Sequence, residues 1–345
     1  MMSNCDQLYV KFIDDFSKHV ISVTLSREFM RFLGMDVTLD RSDNTVSLSH
    51  SMYILERWSE FKKKTHIPMS STTNLRDAEP NPENGSMLQD TGAFRFIADR
   101  ARPDILVAVG EISTGGAENA SDLHLKTALK VKNYLNGTKD LSLVFRGCNS
   151  SLKIFGYSDA SYISSGDSKS RLGGCVFLNY DSGAVRTFSR NSVTSGTTLS
   201  HSSTEAEIKA LDELIREVMH ILDMIEFVSG KYPEPVIIYV DNKSAISLME
   251  TLKVNNRVKH INLRISFIRE MINLRVIELH FVPTEFNVAD ILTKPLDIDT
   301  FIRLRDIMMN GHGGLSPCFE HVLFALNNLT LSTFDLSDMD ISEVV

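Results

Sequence analysis

The stretch LSHSSTEAEIKALDEL, residues 199–214, begins the longest helix that the sequence predicts, and the arrangement of the neighbouring elements depends on this helix. Ser202 or Thr204 ahead of a glutamate is typical of a helix N-terminus, where the hydroxyl accepts a backbone N–H hydrogen bond. Apolar residues then recur at helical spacing. Because side chains advance by about 100° per residue, Glu205 and Glu207 point to nearly opposite faces of this helix.

Helical phase gives the two glutamates different expected environments. The side of Glu207 carries apolar residues throughout: Ala210, Leu211, Leu214, Val218, Ile221, Leu222 and Ile225. Glu205 shares its side with Lys209, Asp212, Arg216 and Asp223, so we expect it on a solvated face. A carboxylate within an apolar stripe is costly to bury unless a metal ion or a strong donor stabilises its charge. Glu207 is therefore a candidate metal ligand.

Composition limits the classes of protein to consider. The 345 residues are 43% hydrophobic, enough for two or three domains. No apolar run approaches the roughly 20 residues of a membrane helix, and the first residues lack a signal-peptide pattern. The four cysteines have no zinc-site spacing. We therefore expect an intracellular protein with no membrane partner.

The net charge of −8 argues against a polyanion-binding surface over the whole chain, but residues 243–275 hold seven Lys or Arg and two Glu. Candidate nucleic-acid contacts in this window are Lys253, Arg257, Lys259, His260 and Arg264. The alternative is a solvated helix face with charge pairs. Phosphate contacts would make binding strongly salt-dependent.

The pattern of elements divides the chain. Residues 1–70 contain a predicted hairpin in FLGMDVTLDRSDNTVSLSHS and a helix in YILERWSEFKK, and residues 71–92, rich in Pro, Asn and Gly, predict an exposed linker. Within residues 93–150, the spacing of apolar residues predicts two helices. Within residues 151–300 the pattern predicts the element order βββαβααβα, with a last helix through VADILTK. Residues 301–345 are predicted to form an acidic C-terminal tail.

Four acidic residues at element junctions are expected to converge: Asp159, Glu207, Asp241 and Asp290. Asp241 ends the apolar strand PVIIYVD, and strand ends are where sites form in sheets with parallel strands. Each Asp alone is typical of a surface or structural position, but clustered carboxylates need a cation. Oxygen ligands favour Mg²⁺ or Mn²⁺. Two such ions roughly 4 Å apart support phosphodiester hydrolysis without a nucleophilic side chain.

Several motifs occur in one order: GYSDASY, SSTEAEIKAL, YVDNKSAI, RVKHINLRISFIRE and FVPTEFNVADILTKPL. In this order they resemble the ribonuclease H domain of copia-type retrotransposon Pol polyproteins. The upstream FLGMDV, ARPDI and YLNGTKD resemble the end of the reverse transcriptase and the connection region. The resemblance therefore covers roughly residues 5–300 and identifies the C-terminal part of such a polyprotein.

The resemblance implies an α/β ribonuclease H-like fold, a mixed five-stranded sheet flanked by helices, preceded by a mainly helical remnant of reverse-transcriptase palm end, thumb (1–70) and connection (93–150). It implies endonucleolytic cleavage of RNA in RNA:DNA hybrids with two Mg²⁺ or Mn²⁺ ions. Asp159, Glu207, Asp241 and Asp290 would then be catalytic and metal-binding. Polymerase and integrase portions of the Pol polyprotein are the expected protein partners. The resemblance also implies a location in a cytoplasmic virus-like particle or in the nucleus.

Departures from the family pattern leave an alternative function open. RTFSR replaces a strand that usually contains Trp, Arg190 and Asn191 replace a Lys-Gln pair, and Ser266 replaces a His. The alternative is a non-catalytic nucleic-acid-binding or structural fragment of a decayed or domesticated element. An integrase core is disfavoured because the glutamate lies between the aspartates in order.

The motif KFIDDF, residues 11–16, imitates the active-site signature of a reverse transcriptase. That signature requires two strands joined by a tight turn, whereas Leu8, Phe12 and Phe16 recur at a helical spacing. We therefore expect no polymerase activity from this chain alone.

Overall fold

The computed structural model describes residues 29–115, 120–147, 152–161, 170–192, 203–230, 235–250 and 259–313. The strands in these ranges are β1 (Phe29–Phe32), β2 (Met35–Asp40), β3 (Thr45–Ser49), β4 (Leu143–Arg146), β5 (Phe155–Ser161), β6 (Arg171–Phe177), β7 (Arg186–Asn191), β8 (Val236–Val240) and β9 (Ile277–Phe281). They form a four-stranded sheet of order β1-β2-β3-β4 and a five-stranded sheet of order β7-β6-β5-β8-β9.

The helices that accompany these strands are α1 (Ser51–Trp58), α2 (Leu88–Ala98), α3 (Leu106–Ile112), α4 (Asp122–Gly137), α5 (Ser203–Ser229), α6 (Lys243–Glu250), α7 (Lys259–Asn273) and α8 (Ile298–Asn310). Short 3-10 turns lie between several of them, including one at Val288–Leu292. Within the described ranges, no helix combines the length and apolar character that crossing a membrane requires.

The first sheet is antiparallel throughout. Its β2–β3 hairpin is the one that the sequence predicts, and Asp40 stabilises the turn by accepting hydrogen bonds from the N–H groups of Ser42 and Asp43. The outer strands β1 and β4 were not predicted. Strand β4 returns after four helices and pairs with β3, so residues far apart in sequence complete the sheet.

The second sheet begins as an antiparallel meander of β5, β6 and β7. Helix α5 then leads to β8, which is parallel to β5, and helices α6 and α7 lead to β9, which is parallel to β8. Parallel neighbours need such helical crossovers. This mixed sheet with its helices confirms the predicted ribonuclease H-like α/β fold.

Different parts of the chain cover the two faces of the five-stranded sheet. Helices α5, α6 and α7 cover one face and pack on residues such as Val176 and Ile238. On the other face, Phe155 and Tyr157 belong to a hydrophobic core shared with α8, the Val288–Leu292 turn and helices α1 to α4. The region before β5 and the ribonuclease H-like region are therefore joined by one core.

The predicted helix through VADILTK and the predicted tail from residue 301 require correction. Only Val288–Leu292 is helical there, as a 3-10 turn. Pro295 follows closely, and proline lacks the N–H that a continuing helix needs. Helix α8 begins at Ile298 and buries Phe301 and Leu304 in the core, so the chain remains part of the fold beyond residue 301.

The predicted linker, residues 71–92, is held to the rest of the protein. Leu75 and Met87 are buried, and the N–H of Asn81 donates to the carbonyl of Ala120 over 2.9 Å. Its last residues already belong to α2. A Pro- and Asn-rich composition indicated irregular backbone correctly, but it did not show that two apolar side chains anchor this segment. The KFIDDF motif lies outside the described residues.

Candidate metal centre

The register of the five-stranded sheet brings two of the predicted acids together. Ser158 on β5 is opposite Val240 on the parallel strand β8. The next residues along the two strands are Asp159 and Asp241, so both carboxylates lie at the same end of the sheet. This is the strand-end position expected for a site in a sheet with parallel strands.

Glu207 reaches the same end of the sheet from α5. This helix packs against β5, and the Glu207 carboxylate accepts a hydrogen bond from the backbone N–H of Ala160. The residue is 6% exposed, and its Oε2 atom has no hydrogen-bond partner among the described residues. One carboxylate oxygen from each of Asp159, Glu207 and Asp241 lies within 4.8 Å of the other two.

Glu205 does not lie on the solvated face expected for it. It is 5% exposed, and its Oε1 is 3.0 Å from the ammonium nitrogen of Lys209. Asp212, on the same predicted face, is also buried and forms ion pairs with Arg216 and Arg264. Helix α7 packs on α5, and its Arg264 reaches Asp212. The expectation of a solvated face, made from the periodicity of α5 alone, was therefore wrong.

Asp290 lies beside the three-carboxylate group. The Val288–Leu292 turn presents it, and the Lys294 ammonium nitrogen is 3.0 Å from its Oδ1. Asp290 also shares a hydrogen bond with the Asp159 carboxyl. The structure thus brings three of the four predicted acids within reach of one ion and places the fourth next to them with its own cation.

The acidic side chains raise one another's pKa values. Burial, reinforced by the nearby Asp159 and Asp241 carboxylates, raises the pKa of Glu207 to about 9. Burial and Asp159 raise the pKa of Asp290 to about 8. The same two effects raise the pKa of Asp241, although Thr284 and Asn287 donate hydrogen bonds that oppose the shift. The raised pKa values mean that the ionised carboxylates repel one another. A cation could relieve this repulsion in place of the added protons.

Donor chemistry and geometry agree on the kind of cation. The donors are carboxylate oxygens, without nitrogen or sulfur, and hard oxygen ligands suit Mg²⁺ and Mn²⁺. The buried, unpartnered Oε2 of Glu207 supplies a lone pair that nothing else in the described structure uses. The residues present therefore fit a divalent metal ion.

Sequence reasoning missed several residues that support the acids. Thr293 donates a hydrogen bond from its hydroxyl to Asp159 Oδ2, and the Asn287 side-chain amide donates to the Ser158 carbonyl over 3.1 Å. Both residues hold the turn that carries Asp290 against β5. Their proximity to Asp290 in the sequence could have marked both residues as candidates. A regular helix, as predicted for this segment, would have placed their side chains in other positions.

Gly173 on β6 makes this arrangement possible. It is opposite Asp159 in the sheet register. A Cβ at Gly173 would lie 2.6 Å from Thr293 Cγ2 and 2.9 Å from Leu292 Cβ, far closer than side chains approach. The glycine therefore provides the space in which the Asp290-bearing turn packs on the sheet.

Among the predicted nucleic-acid contacts, the structure describes the side chain of Arg264 alone. Lys253 and Arg257 lie outside the described residues, and Lys259 and His260 begin α7 but their side chains are not described. Arg264 is described: its guanidinium is paired with Asp212 of α5. That contact supports the alternative of a charge-paired helix face for Arg264, and the others stay predictions.

The fold and site together define a class: a ribonuclease H-like α/β protein with a carboxylate centre suited to divalent metal ions. Homologues of the chain are retrovirus-related Pol polyproteins of transposons. The polyprotein of transposon TNT 1-94 from Nicotiana tabacum is 27% identical over 290 residues, 81% of this chain and 21% of the relative. That of transposon RE1 from Arabidopsis thaliana is 27% identical over 300 residues, 84% of this chain and 19% of the relative.

These relatives confirm the resemblance to retrotransposon Pol polyproteins that the motifs indicated. The chain spans about a fifth of the length of the curated plant relatives it matches. No protein-family model matches the chain.

Two solved structures are similar to parts of this chain. LC11-RNase H1 in complex with RNA/DNA hybrid has a TM-score of 0.31 and 19% identity, covering 41% of this chain and 94% of that chain. The foamy viral protease-reverse transcriptase in complex with RNA/DNA hybrid has a TM-score of 0.47 and 12% identity, covering 82% of this chain and 34% of that chain.

Proposed function

We propose that this protein is a metal-dependent ribonuclease H of a retroelement that cleaves the RNA strand of RNA:DNA hybrids endonucleolytically during reverse transcription. The observation that carries the proposal is the convergence of Asp159 on β5, Glu207 on α5 and Asp241 just after β8, with carboxylate oxygens within 4.8 Å of one another. The similarity to transposon Pol polyproteins supports the biological setting.

The chain's own residues would hold and orient two Mg²⁺ or Mn²⁺ ions. Asp159, Glu207 and Asp241 supply the main donors, with Asp290 beside them. When bound, such ions activate water and stabilise the leaving oxygen of a phosphodiester. Thr293 fixes the Asp159 carboxylate through its hydroxyl hydrogen bond, and this reduces the reorganisation that metal binding requires.

The proposed partners follow from the same function. The substrate is an RNA:DNA hybrid, which proteins distinguish by its groove shape and 2′-hydroxyl groups, so little base specificity is expected. Lys253, Arg257, Lys259 and His260 are the proposed phosphate contacts. The polymerase and integrase portions of the Pol polyprotein are the proposed protein partners, in a cytoplasmic virus-like particle or the nucleus.

A cleavage assay tests the proposal directly. The purified chain is incubated with an end-labelled RNA:DNA hybrid and Mg²⁺ or Mn²⁺, and we expect cleavage of the RNA only. Asp241→Asn removes a metal-ligand charge, and we expect the rate to fall by about a hundredfold or more. Asp99→Asn is the control, because Asp99 is an exposed acid that pairs with Arg95 in the region before β5.

The assay also distinguishes the proposed function from the alternative function. A hybrid that stays intact with both metals would contradict the proposal and favour a non-catalytic nucleic-acid-binding or structural fragment. Equal rates for Asp241→Asn and wild type would show that any observed cleavage does not come from this site.

A further inference from the structure

Lys294 is a cation built into the acidic site. Its ammonium nitrogen lies 3.0 Å from Asp290 Oδ1, and the two residues belong to one turn. The backbone fixes them together, because the N–H of Lys294 donates to the carbonyl of Asp290 over 3.2 Å, and Thr293 donates to the same carbonyl. The pair is therefore a consequence of how the chain turns before Pro295.

The field at Lys294 comes from more than one carboxylate. Asp290, Asp159 and Asp241 all act electrostatically on the Lys294 ammonium. The ammonium thus interacts with two members of the three-carboxylate group as well as with Asp290. Glu207, the third member, receives its hydrogen bond from the Ala160 backbone instead.

We propose that the Lys294 ammonium is an internal counter-ion that occupies Asp290 and keeps it out of metal binding until a second divalent ion displaces the lysine. The inference rests on the proposed function, since it concerns the same metal centre. Asp159, Glu207 and Asp241 then bind the first ion, and the second ion binds more weakly because it must compete with Lys294.

Two physical properties make this competition possible. An ammonium and a divalent ion repel each other strongly at the separation that sharing one carboxylate oxygen would impose. The Lys294 side chain is 38% exposed, and lysine carries its charge on a flexible stem, so the ammonium has a route into solvent. Asp290 can therefore exchange one cation for another without a change of fold.

Manganese binding to the full chain tests the proposal without depending on catalysis. Mn²⁺ is titrated by calorimetry, and electron paramagnetic resonance distinguishes isolated ions from neighbouring pairs. We expect wild type to bind one ion tightly and a second weakly. Lys294→Gln removes the competing charge, so we expect its second ion to bind about tenfold more tightly.

Matched variants separate the effect of this charge from general effects. Lys294→Arg keeps the positive charge and is expected to retain weak binding of the second ion. Lys132→Gln removes a lysine that pairs with Asp90 away from the site, and we expect wild-type binding. In the double variant Asp290→Asn/Lys294→Gln, the gain of Lys294→Gln is expected to disappear, because Asp290 no longer supplies a carboxylate.

The outcomes distinguish this inference from the proposed function. If Asp159→Asn abolishes the tight ion but Lys294→Gln leaves the second ion within twofold of wild type, the metal centre stands and the counter-ion role is wrong. If wild type binds no Mn²⁺, or Asp159→Asn binds it unchanged, the proposed metal centre itself fails. Thermal unfolding of each variant shows whether it is folded, and Lys294→Met replaces Lys294→Gln if the latter is not.

Discussion

At the scale of single residues, Glu207 shows what helical phase predicts and where it fails. The apolar side of α5 correctly identified Glu207 as a buried carboxylate facing the sheet. The same phase argument placed Glu205 in solvent, yet Glu205 is buried and paired with Lys209. The periodicity of one helix distinguishes its apolar side from its polar side. Whether a second helix covers the polar side depends on tertiary packing, and periodicity gives no information about that packing.

The raised pKa of Glu207 has a consequence for stability without metal. Its pKa rises from 4.5 in the unfolded chain to about 9 in the fold, so the native state binds the extra proton between these values. Stability therefore falls as pH rises through this window, and it is unaffected by Glu207 below about pH 4.5. A divalent ion bound at the proposed metal centre would reverse the penalty, because it would stabilise the ionised carboxylate.

We predict that Glu207→Gln stabilises the metal-free protein at alkaline pH. In a chelating buffer at pH 8, its free energy of unfolding is expected to exceed that of wild type by about 2 kcal/mol, with little difference near pH 4. The gain stays below the full linkage value because Asp290 and Asp241 redistribute the proton. Urea unfolding at both pH values measures it.

The matched control for this prediction is Glu205→Gln on the same helix. It removes the ion pair with Lys209 and is expected to bring no gain at pH 8. A wild-type stability that does not decline between pH 5 and 9 in the chelating buffer would contradict the prediction.

At the scale of elements, the sequence predicted most of the strands and helices that the structure describes in residues 151–300, from alternation, continuous apolar runs or helical repeats. It did not predict the irregular Val288–Leu292 turn, and the contacts of Thr293 and Lys294 depend on that turn. Strands β1 and β4 were also missed, since pairing between distant segments, rather than local pattern, makes them part of a sheet.

The packing of this turn on β6 gives a prediction for Gly173. Gly173→Ala would place a Cβ 2.6 Å from Thr293 Cγ2, so the turn must move away from the sheet. We expect a loss of stability of about 1–3 kcal/mol. We also expect weaker Mn²⁺ binding, because the hydrogen bond from Thr293 to Asp159 is displaced.

Gly92→Ala is the control for Gly173→Ala. A Cβ at Gly92, in α2, meets no atom within 4 Å, so this change is expected to stabilise the protein by about 0.5–1 kcal/mol. Thermal unfolding and Mn²⁺ titration measure both variants. Wild-type metal affinity in Gly173→Ala would show that the turn does not position the site.

At the scale of the whole molecule, the predicted boundary near residue 150 follows a change of sequence pattern, but the core crosses it. Tyr134 of α4 packs against Phe301 of α8, with ring centroids 5.9 Å apart. A buried ion network also crosses the boundary: Glu111 of α3 pairs with Arg171 of β6 and with Arg76. A change of sequence pattern marks a change in the type of structure. The extent of a folding unit depends instead on which surfaces are buried against each other.

We therefore predict that the described region unfolds as one cooperative unit. The single tryptophan, Trp58, is buried in the first part and reports its unfolding by fluorescence, while hydrogen exchange of β5 and β8 peptides reports the ribonuclease H-like part. Both probes are expected to give the same urea midpoint.

Glu111→Leu leaves the Arg171 charge in the core without its closest partner. This change is expected to lower the free energy of unfolding by about 3 kcal/mol or more and to shift the midpoint of both probes equally. Arg186→Ala, which breaks an exposed pair, is the control and is expected to cost less than about 1 kcal/mol. Two separate transitions, or a Glu111→Leu shift seen by only one probe, would show that the two parts unfold independently.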